Sequence, residues 1–463
     1  MKKISKYLPL WNFIIITGII LGFSLLKNIG YDSWYYDCDM YRALGNELFS
    51  NDGYNLLNLS TGFRGFIFPT ILGLCEFVDK KFGMLSPVSF KILISLIYGF
   101  FFACVIPKLM VLLFGCKARG KSYSAVMHLA LVMLFFWGLF IYPLTDLFAM
   151  VLCVNAVICL LSADYLQGCK KILMFFFTGI FMYAAYNVRS IYLFSVLATI
   201  IVVVVINLKK DEGVKTLFYL FAFQAGMLFC SIPQIIINYH QYGSISMMLP
   251  TGSLMSQQLE WGIYYQRYET YVGTSYNTPK LIFQDWAGTK ILERAGDISS
   301  IREYILLCFR YPLDFIGIYA RHIINMLCPI YPEQYIYNLE INRNVLVILN
   351  YILLYVFGVW CTVLLNYKRR IGDSLLRFWA IVIMLLPSIA IMPGALEQRF
   401  SIMIYVLILG CISYAIDYKL LLNTVKLHWI RYLWMFGMGL FIVLAVWGNT
   451  LSSLQYNKLI IGY

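Results

Sequence analysis

The stretch YYDCDMYRALGNELFSNDGYN, residues 35–55, sets Asp37, Asp39, Glu47 and Asp52 against a single Arg42. Further along stand Arg64 in GFRGFIFP, Asp146 in YPLTDLFAM, Arg189 in AAYNVRSIYLF, and Glu397 with Arg399 in PGALEQRFSIMIY. A carboxylate within hydrogen-bond reach of a hydroxyl can take its proton as the oxygen attacks. Guanidinium groups can hold a phosphate and stabilise its charge as it leaves. Acids and arginines brought together are therefore parts that could take a proton from an attacking hydroxyl while holding a phosphate as it leaves.

The elements that must carry these residues are apolar helices. The chain has 463 residues, 61% hydrophobic and 13% charged, where a soluble domain has about 25% charged. Runs such as 94–114, 193–208 and 345–365 have the length of a bilayer span, about 20 residues. The hydropathy predicts an all-α polytopic membrane protein with about eleven spans (ten to thirteen), near 9–26, 88–114, 123–141, 146–166, 172–187, 190–207, 216–236, 345–366, 376–393, 400–417 and 432–448. The N-terminus lacks an Ala-x-Ala-like site and reads as a retained first helix. The net charge of +13 follows short loops such as Lys117/Arg119/Lys121 and Lys368/Arg369/Arg370. These basic loops read as cytoplasmic, and no basic run is interleaved with aromatics as a nucleic-acid surface would be. The twelve Cys are scattered, without zinc-type spacing.

That parity divides the chain into an N-terminal membrane module, 1–236, a large external loop, 237–344, and C-terminal membrane helices, 345–463. The acidic island lies in an external loop, 27–87. Apolar stretches 66–78 and 313–330 read as helices lying in the interface. Arg64, Arg189 and Arg399 all fall on the outer side, which the positive-inside rule should deplete. Asp146, at the outer end of a span, is costly without a partner or a task.

Each residue also has a plainer reading. Met40, Leu44 and Leu48 mark one face of a short amphipathic helix, with Asp37 as its N-cap and Asp39 favouring the positive end of its dipole. Asp146 can cap the fourth span, and an arginine at a span end can snorkel to lipid phosphates. Asp37-Cys38-Asp39 has the Asp-x-Asp spacing that can hold a divalent cation, although the transfer chemistry requires no cofactor. Arg321 and His322, in YARHIINML, can contact phosphate or acceptor, or anchor an interfacial helix to headgroups.

The arrangement resembles the GT-C superfamily of integral-membrane glycosyltransferases, which take sugars from polyprenyl-phosphate donors; protein O-mannosyltransferases and aminoarabinose transferases are members. Asp37, Tyr41, Ala43 and Leu48 look like the family's first external loop. RGFIFPTILGL looks like its basic residue before a Pro-containing apolar stretch, YPLTDLFA like its second Asp, and EQRF like its late E-x-R-[FY] turn. The resemblance implies a GT-C fold with Asp37, or alternatively Asp39 or Asp146, as general base. It implies Arg64, Arg189 and Arg399 on the donor phosphate, and Tyr41 and Glu397 near substrate. The implied partners are a polyprenyl-phosphate-linked sugar, a glycan, lipid or protein acceptor, and the bilayer. The implied location is the cytoplasmic (inner) membrane of a bacterium, with the site on the external side. The alternatives are a lipid-linked glycan polymerase and a flippase or transporter for lipid-linked sugars. A transport pathway calls for charge near mid-membrane, and here the span centres are nearly free of it.

Overall fold

The computed structural model describes residues 2–50, 53–60, 64–114, 122–209, 213–250, 252–272, 280–337, 344–366 and 375–417, with scattered residues up to 440. In chain order the first half comprises α1 (Lys2–Lys27), α2 (Asp37–Leu48), α3 (Ile67–Lys81), α4 (Val88–Phe100), α5 (Ile106–Phe114), α6 (Ser122–Phe136), α7 (Thr145–Ala163), α8 (Cys169–Val188), α9 (Leu193–Lys209) and α10 (Gly213–Tyr242). A π-helical stretch, Phe101–Val105, joins α4 and α5 into one rod. The second half holds α11 (Gly252–Tyr264), α12 (Trp286–Ala295), α13 (Ile301–Arg310), α14 (Pro312–Met326), α15 (Asn344–Asn366), α16 (Leu375–Ala390) and α17 (Ile402–Gly410).

Among the described residues eight helices are long and apolar enough to cross a membrane, and Val345–Cys361 and Leu375–Ala390 are shorter apolar helices. The expected all-α polytopic architecture is present. The expected last span, 432–448, lies mostly outside the described residues. Close approach of helix backbones at glycine is the packing device. A Cβ on Gly179 would strike the Phe223 carbonyl of α10, and one on Gly226 would strike the Phe176 carbonyl of α8. Small residues at such crossings suit helices that have no hydrophobic drive to associate inside lipid.

The acidic island is a helix, as its periodicity predicts. The inner side of α2 buries Cys38, Tyr41, Leu44 and Leu48, and it crosses α3 at a glycine pair. A Cβ on Gly45 would sit 2.7 Å from both Gly73 N and the Pro69 carbonyl. Arg42 clamps the crossing from its edge, with Nε and Nη2 each donating 2.9 Å to the Glu76 carboxylate. Asp79 does the same for the next element: it accepts from Tyr31 Oη at 2.8 Å and from Ser89 N, at the start of α4, at 2.9 Å.

The second loop is more ordered than a linker. β3 (Tyr265–Tyr271) pairs antiparallel with β4 (Lys280–Gln284) and parallel with β5 (Tyr335–Ile336); a two-residue hairpin after α2, β1 (Phe49–Ser50) with β2 (Gly53–Tyr54), is the other strand pairing described. Leu259, Ile263, Ile291, Tyr304, Phe315 and Ile318 form a separate small core under α11–α14. The loop is tied to the island through Tyr335, whose hydroxyl donates 2.6 Å to the Tyr35 carbonyl just before α2.

Candidate functional site

Five of the residues singled out by type and position meet at one end of the bundle as an alternating chain of charges: Arg64, Asp37, Arg399, Asp146, Arg189. Arg64 Nη2 lies 3.4 Å from Asp37 Oδ1, and Arg399 Nη2 donates 2.8 Å to Asp37 Oδ2. Arg399 Nη1 is 3.7 Å from Asp146 Oδ2, and Arg189 Nη1 donates to Asp146 Oδ1. Glu397 branches from the middle. Its Oε1 accepts from Arg399 Nη2 at 2.9 Å, and its Oε2 lies 2.7 Å from Nε, out of line for a hydrogen bond. The chain is exposed at its ends and buried in its middle: Arg64 and Asp37 are each 31% exposed and Arg189 18%, whereas Asp146 is 3% exposed.

Local backbone explains how four distant segments converge. Tyr36, at φ +46°, turns the chain sharply into α2. Asp37 is therefore the first helical residue. The N-cap position is Tyr36, whose side chain makes no cap hydrogen bond; the Asp37 carboxylate is taken by the two guanidiniums, which corrects the N-cap reading. Arg64 is followed by Gly65, where any Cβ would collide with the Asn187 carbonyl at the end of α8. Asn187 then fixes the join: its side-chain oxygen accepts from Ile67 N at 3.1 Å, and its amide donates 2.9 Å to Gln234 of α10. Arg189 follows two residues later as the C-cap of α8, in extended conformation. Asp146 sits in the first turn of α7, where the helix dipole favours negative charge. Tyr41 lies buried under Arg64, its ring centroid 5.5 Å from the guanidinium carbon, edge-on to Phe68 at 5.3 Å.

Arg399 and Glu397 come from a short turn before α17, and a second network holds that turn. Arg267 of β3 is fully buried. Its Nε donates 2.6 Å to Glu269, its Nη1 3.0 Å to the Cys328 carbonyl and its Nη2 2.8 Å to Gln398 Oε1. Gln398 N returns 3.1 Å to Glu269 Oε1, and Tyr268 N donates 2.9 Å to the Leu396 carbonyl. The Tyr268 hydroxyl bonds Glu397 from the other side of the strand. None of Arg267, Tyr268, Glu269, Gln398 or Asn187 stood out in the sequence. The available signal was the alternation in YQRYETY, which puts Arg267 and Glu269 on one face of a strand.

Three residues named from sequence are not in the cluster. Asp39 is exposed. Two residues apart on a helix, it and Asp37 do not face each other, so the Asp-x-Asp pair does not converge on one cation, and among the described residues no group of three or more His, Cys, Asp or Glu could hold a metal. Arg321 and His322 are structural. Arg321 makes a two-pronged pair with Asp285, at 2.6 and 2.9 Å. The His322 ring nitrogens face the Met392 carbonyl at 2.6 Å and the Tyr265 carbonyl at 3.0 Å, pinning α14 to β3 and to the chain leading into the 397–399 turn.

The electrostatics separate the carboxylates. Burial works against ionisation of Asp37, but Arg399, Arg64 and Arg189 outweigh it and hold the carboxyl down at about 2. Burial pushes Glu397 the other way, up from the ordinary range, against the pull of Arg399. Asp146 Oδ2 is buried and, among the described residues, accepts no hydrogen bond. Asp146 borders a small recess lined by Arg189, Tyr192, Ser388, Arg399 and Phe400, with Ile191, Pro387, Ile391 and Met403 as its apolar walls. Both Arg189 and Arg399 stack near the Phe400 ring, at 4.5 and 5.4 Å. An anion with an apolar tail, or a hydroxyl needing an acceptor, fits this chemistry.

No protein-family model matches the sequence, and no curated protein does.

Proposed function

We propose that the protein is a membrane glycosyltransferase that moves a sugar from a polyprenyl-phosphate donor to an acceptor hydroxyl. The observation that carries the reading is the alternating charge chain, which draws three arginines and three carboxylates from separate segments to one end of an apolar bundle. In this reading Arg64, Arg189 and Arg399 hold the donor phosphate. The acceptor oxygen attacks the anomeric carbon, the bond from that carbon to the phosphate oxygen breaks, and the lipid phosphate leaves on the guanidiniums. The acceptor proton passes to a carboxylate.

Asp37 is the first candidate for that carboxylate. Paired as it stands it is a weak base, because a catalytic base works best with a pKa near the working pH. A phosphate that engages Arg64 and Arg399 draws positive charge away from Asp37 and raises its basicity, so donor binding prepares the base. Asp146, with a free acceptor oxygen in the recess, orients the acceptor hydroxyl. The same reading makes 432–448 an eleventh span and puts the cluster on the external face of a bacterial cytoplasmic membrane.

The test is transfer by purified protein from a panel of polyprenyl-phosphate sugars, with Asp37→Asn and Asp146→Asn compared after folding checks. Loss of transfer in both folded variants supports the reading. Full transfer in both, from a wild type that turns over, ends it.

A further inference from the structure

The three carboxylates around Arg399 are not equally compensated. Asp37 has two guanidiniums, Arg64 and Arg399, and Asp146 has two, Arg189 and Arg399. Among the described residues Glu397 pairs with Arg399 alone. It is buried, at 6% exposed. From β3 it meets the Tyr268 hydroxyl and the charge of Glu269, whose own partner is Arg267. From α2 it meets the charge of Asp37. Asp146 lies across Arg399, and Tyr335 of β5 is within electrostatic reach of Arg399 and Asp37. His322 of α14 has both ring nitrogens on backbone carbonyls.

Fully ionised, the six groups sum to zero, Arg64, Arg189 and Arg399 against Asp37, Asp146 and Glu397. A phosphate diester adds one negative charge. Arg399 is positioned to receive it: its buried Nε has no in-line acceptor among the described residues, and its side chain lines the recess with Arg189. A charge added where water is scarce raises the cost of every anion beside it, and the least compensated carboxylate answers by taking up a proton. That carboxylate is Glu397. The entering anion competes for its one guanidinium, Glu269 repels it from behind, and burial already lifts it above the ordinary range. Asp37 retains Arg64 and its contact with solvent, and Asp146 retains Arg189. Once protonated, Glu397 keeps an oxygen to accept from Arg399 and gains an O–H to donate to the Tyr268 hydroxyl.

We propose that the site binds its anion together with a proton, and that Glu397 is the residue that takes the proton up. The inference rests on the phosphate-holding part of the function proposed above. It gives Glu397 a positioning role: by absorbing the proton it leaves Asp37 ionised beside the bound anion, able to accept the next one.

The experiment titrates the full chain in nanodiscs with farnesyl methyl phosphate, with empty nanodiscs as the blank. This diester carries a single charge that does not change from neutral to alkaline pH. Calorimetry in buffers of different ionisation enthalpy counts the protons taken up. Wild type is expected to take up as much as about one proton per anion, and its affinity to fall by up to about tenfold for each unit that pH rises. Glu397→Gln should bind with no uptake and a flat pH profile. Infrared difference spectra need no variant. Anion binding should bring up a protonated-carboxyl band that shifts when glutamate carries carbon-13 in its carboxyl, and not when aspartate does. Binding without proton uptake across the whole range overturns the inference and leaves the phosphate reading standing. Uptake retained in Glu397→Gln, or a band that follows the aspartate label, gives the proton to another carboxylate and overturns it as well. Failure to bind at any pH overturns both.

Discussion

Arg267 and Arg399 approach the 397–399 turn from opposite sides, and both are met by a glutamate two residues away in sequence. Around Arg267 three donors have three acceptors, Glu269, the Cys328 carbonyl and Gln398, and Gln398 closes the ring by donating from its own backbone to Glu269. Around Arg399 three carboxylates compete for one guanidinium, Asp146 keeps an unbonded buried oxygen, and the outer members reach solvent. The same residue types thus serve two ends. A closed buried network specifies one arrangement, because every departure leaves a desolvated group unpaired. An open one retains capacity for a further ligand.

The largest expected effect comes from breaking the closed network. Arg267→Met leaves Glu269 as an uncompensated buried charge, at a cost of about 3–5 kcal/mol. The protein should melt well below wild type in a size-exclusion assay after graded heating, and adding Glu269→Leu should recover part of the loss. If the single variant melts with the wild type, the network does not hold the turn.

Asp37→Asn should do the reverse: small in stability and large in turnover. The carboxylate is partly exposed, and exposed pairs contribute about 0–1 kcal/mol. Loss of a general base costs about 10²- to 10⁴-fold in rate. Melting and transfer measured on one preparation separate the two networks. A variant that unfolds as readily as Arg267→Met would place Asp37 in the scaffold instead.

A smaller effect follows from pH. Asp37 is held down at about 2, so its pairing stabilises fully above the ordinary carboxyl value of about 4 and is lost as pH falls from there towards 2. Glu397 is raised; its contribution is present when it is protonated and is lost as pH rises through its folded value. Melting temperature should therefore hold or rise as pH falls from 7 to about 4, and then drop. Other carboxyls, including Glu76, which burial raises and Arg42 pulls lower on balance, add to the drop. The informative quantity is thus the difference between wild type and Asp37→Asn, which should narrow below pH 4. A difference that widens there has the wrong sign for this pairing.

The open network was largely legible in the sequence and the closed one was not, for a physical reason. Charges at span ends are conspicuous in an apolar chain because each is costly where it stands, so Asp146, Arg189 and Arg399 announced themselves before their partners were known. Arg267 and Glu269 sit in a Tyr-rich loop that reads as a polar surface. Their meaning depends on a strand packing against Gln398, 131 residues on, and no local pattern carries that. Arg321 and His322 erred in the opposite direction. A basic pair on an amphipathic helix suggests headgroups, but neighbouring helical residues point apart, and here each finds a long-range partner inside the protein, Asp285 for one and two backbone carbonyls for the other.

The smallest expected effect is the sharpest test of the geometry. Asp39 differs from Asp37 by two positions on α2, and from sequence the two were interchangeable as base and paired as metal ligands. In the fold Asp39 is exposed and outside the charge chain, so Asp39→Asn should change stability by no more than about 0.5 kcal/mol and leave transfer at the wild-type rate. The same substitution two residues earlier is expected to abolish it. Equal losses in the two variants would mean that both carboxylates reach one centre, which a regular α2 forbids. The first turn at Tyr36 would then have to unwind in the active state, turning Asp39 inward to join Asp37 and restoring the Asp-x-Asp pair as a cation site.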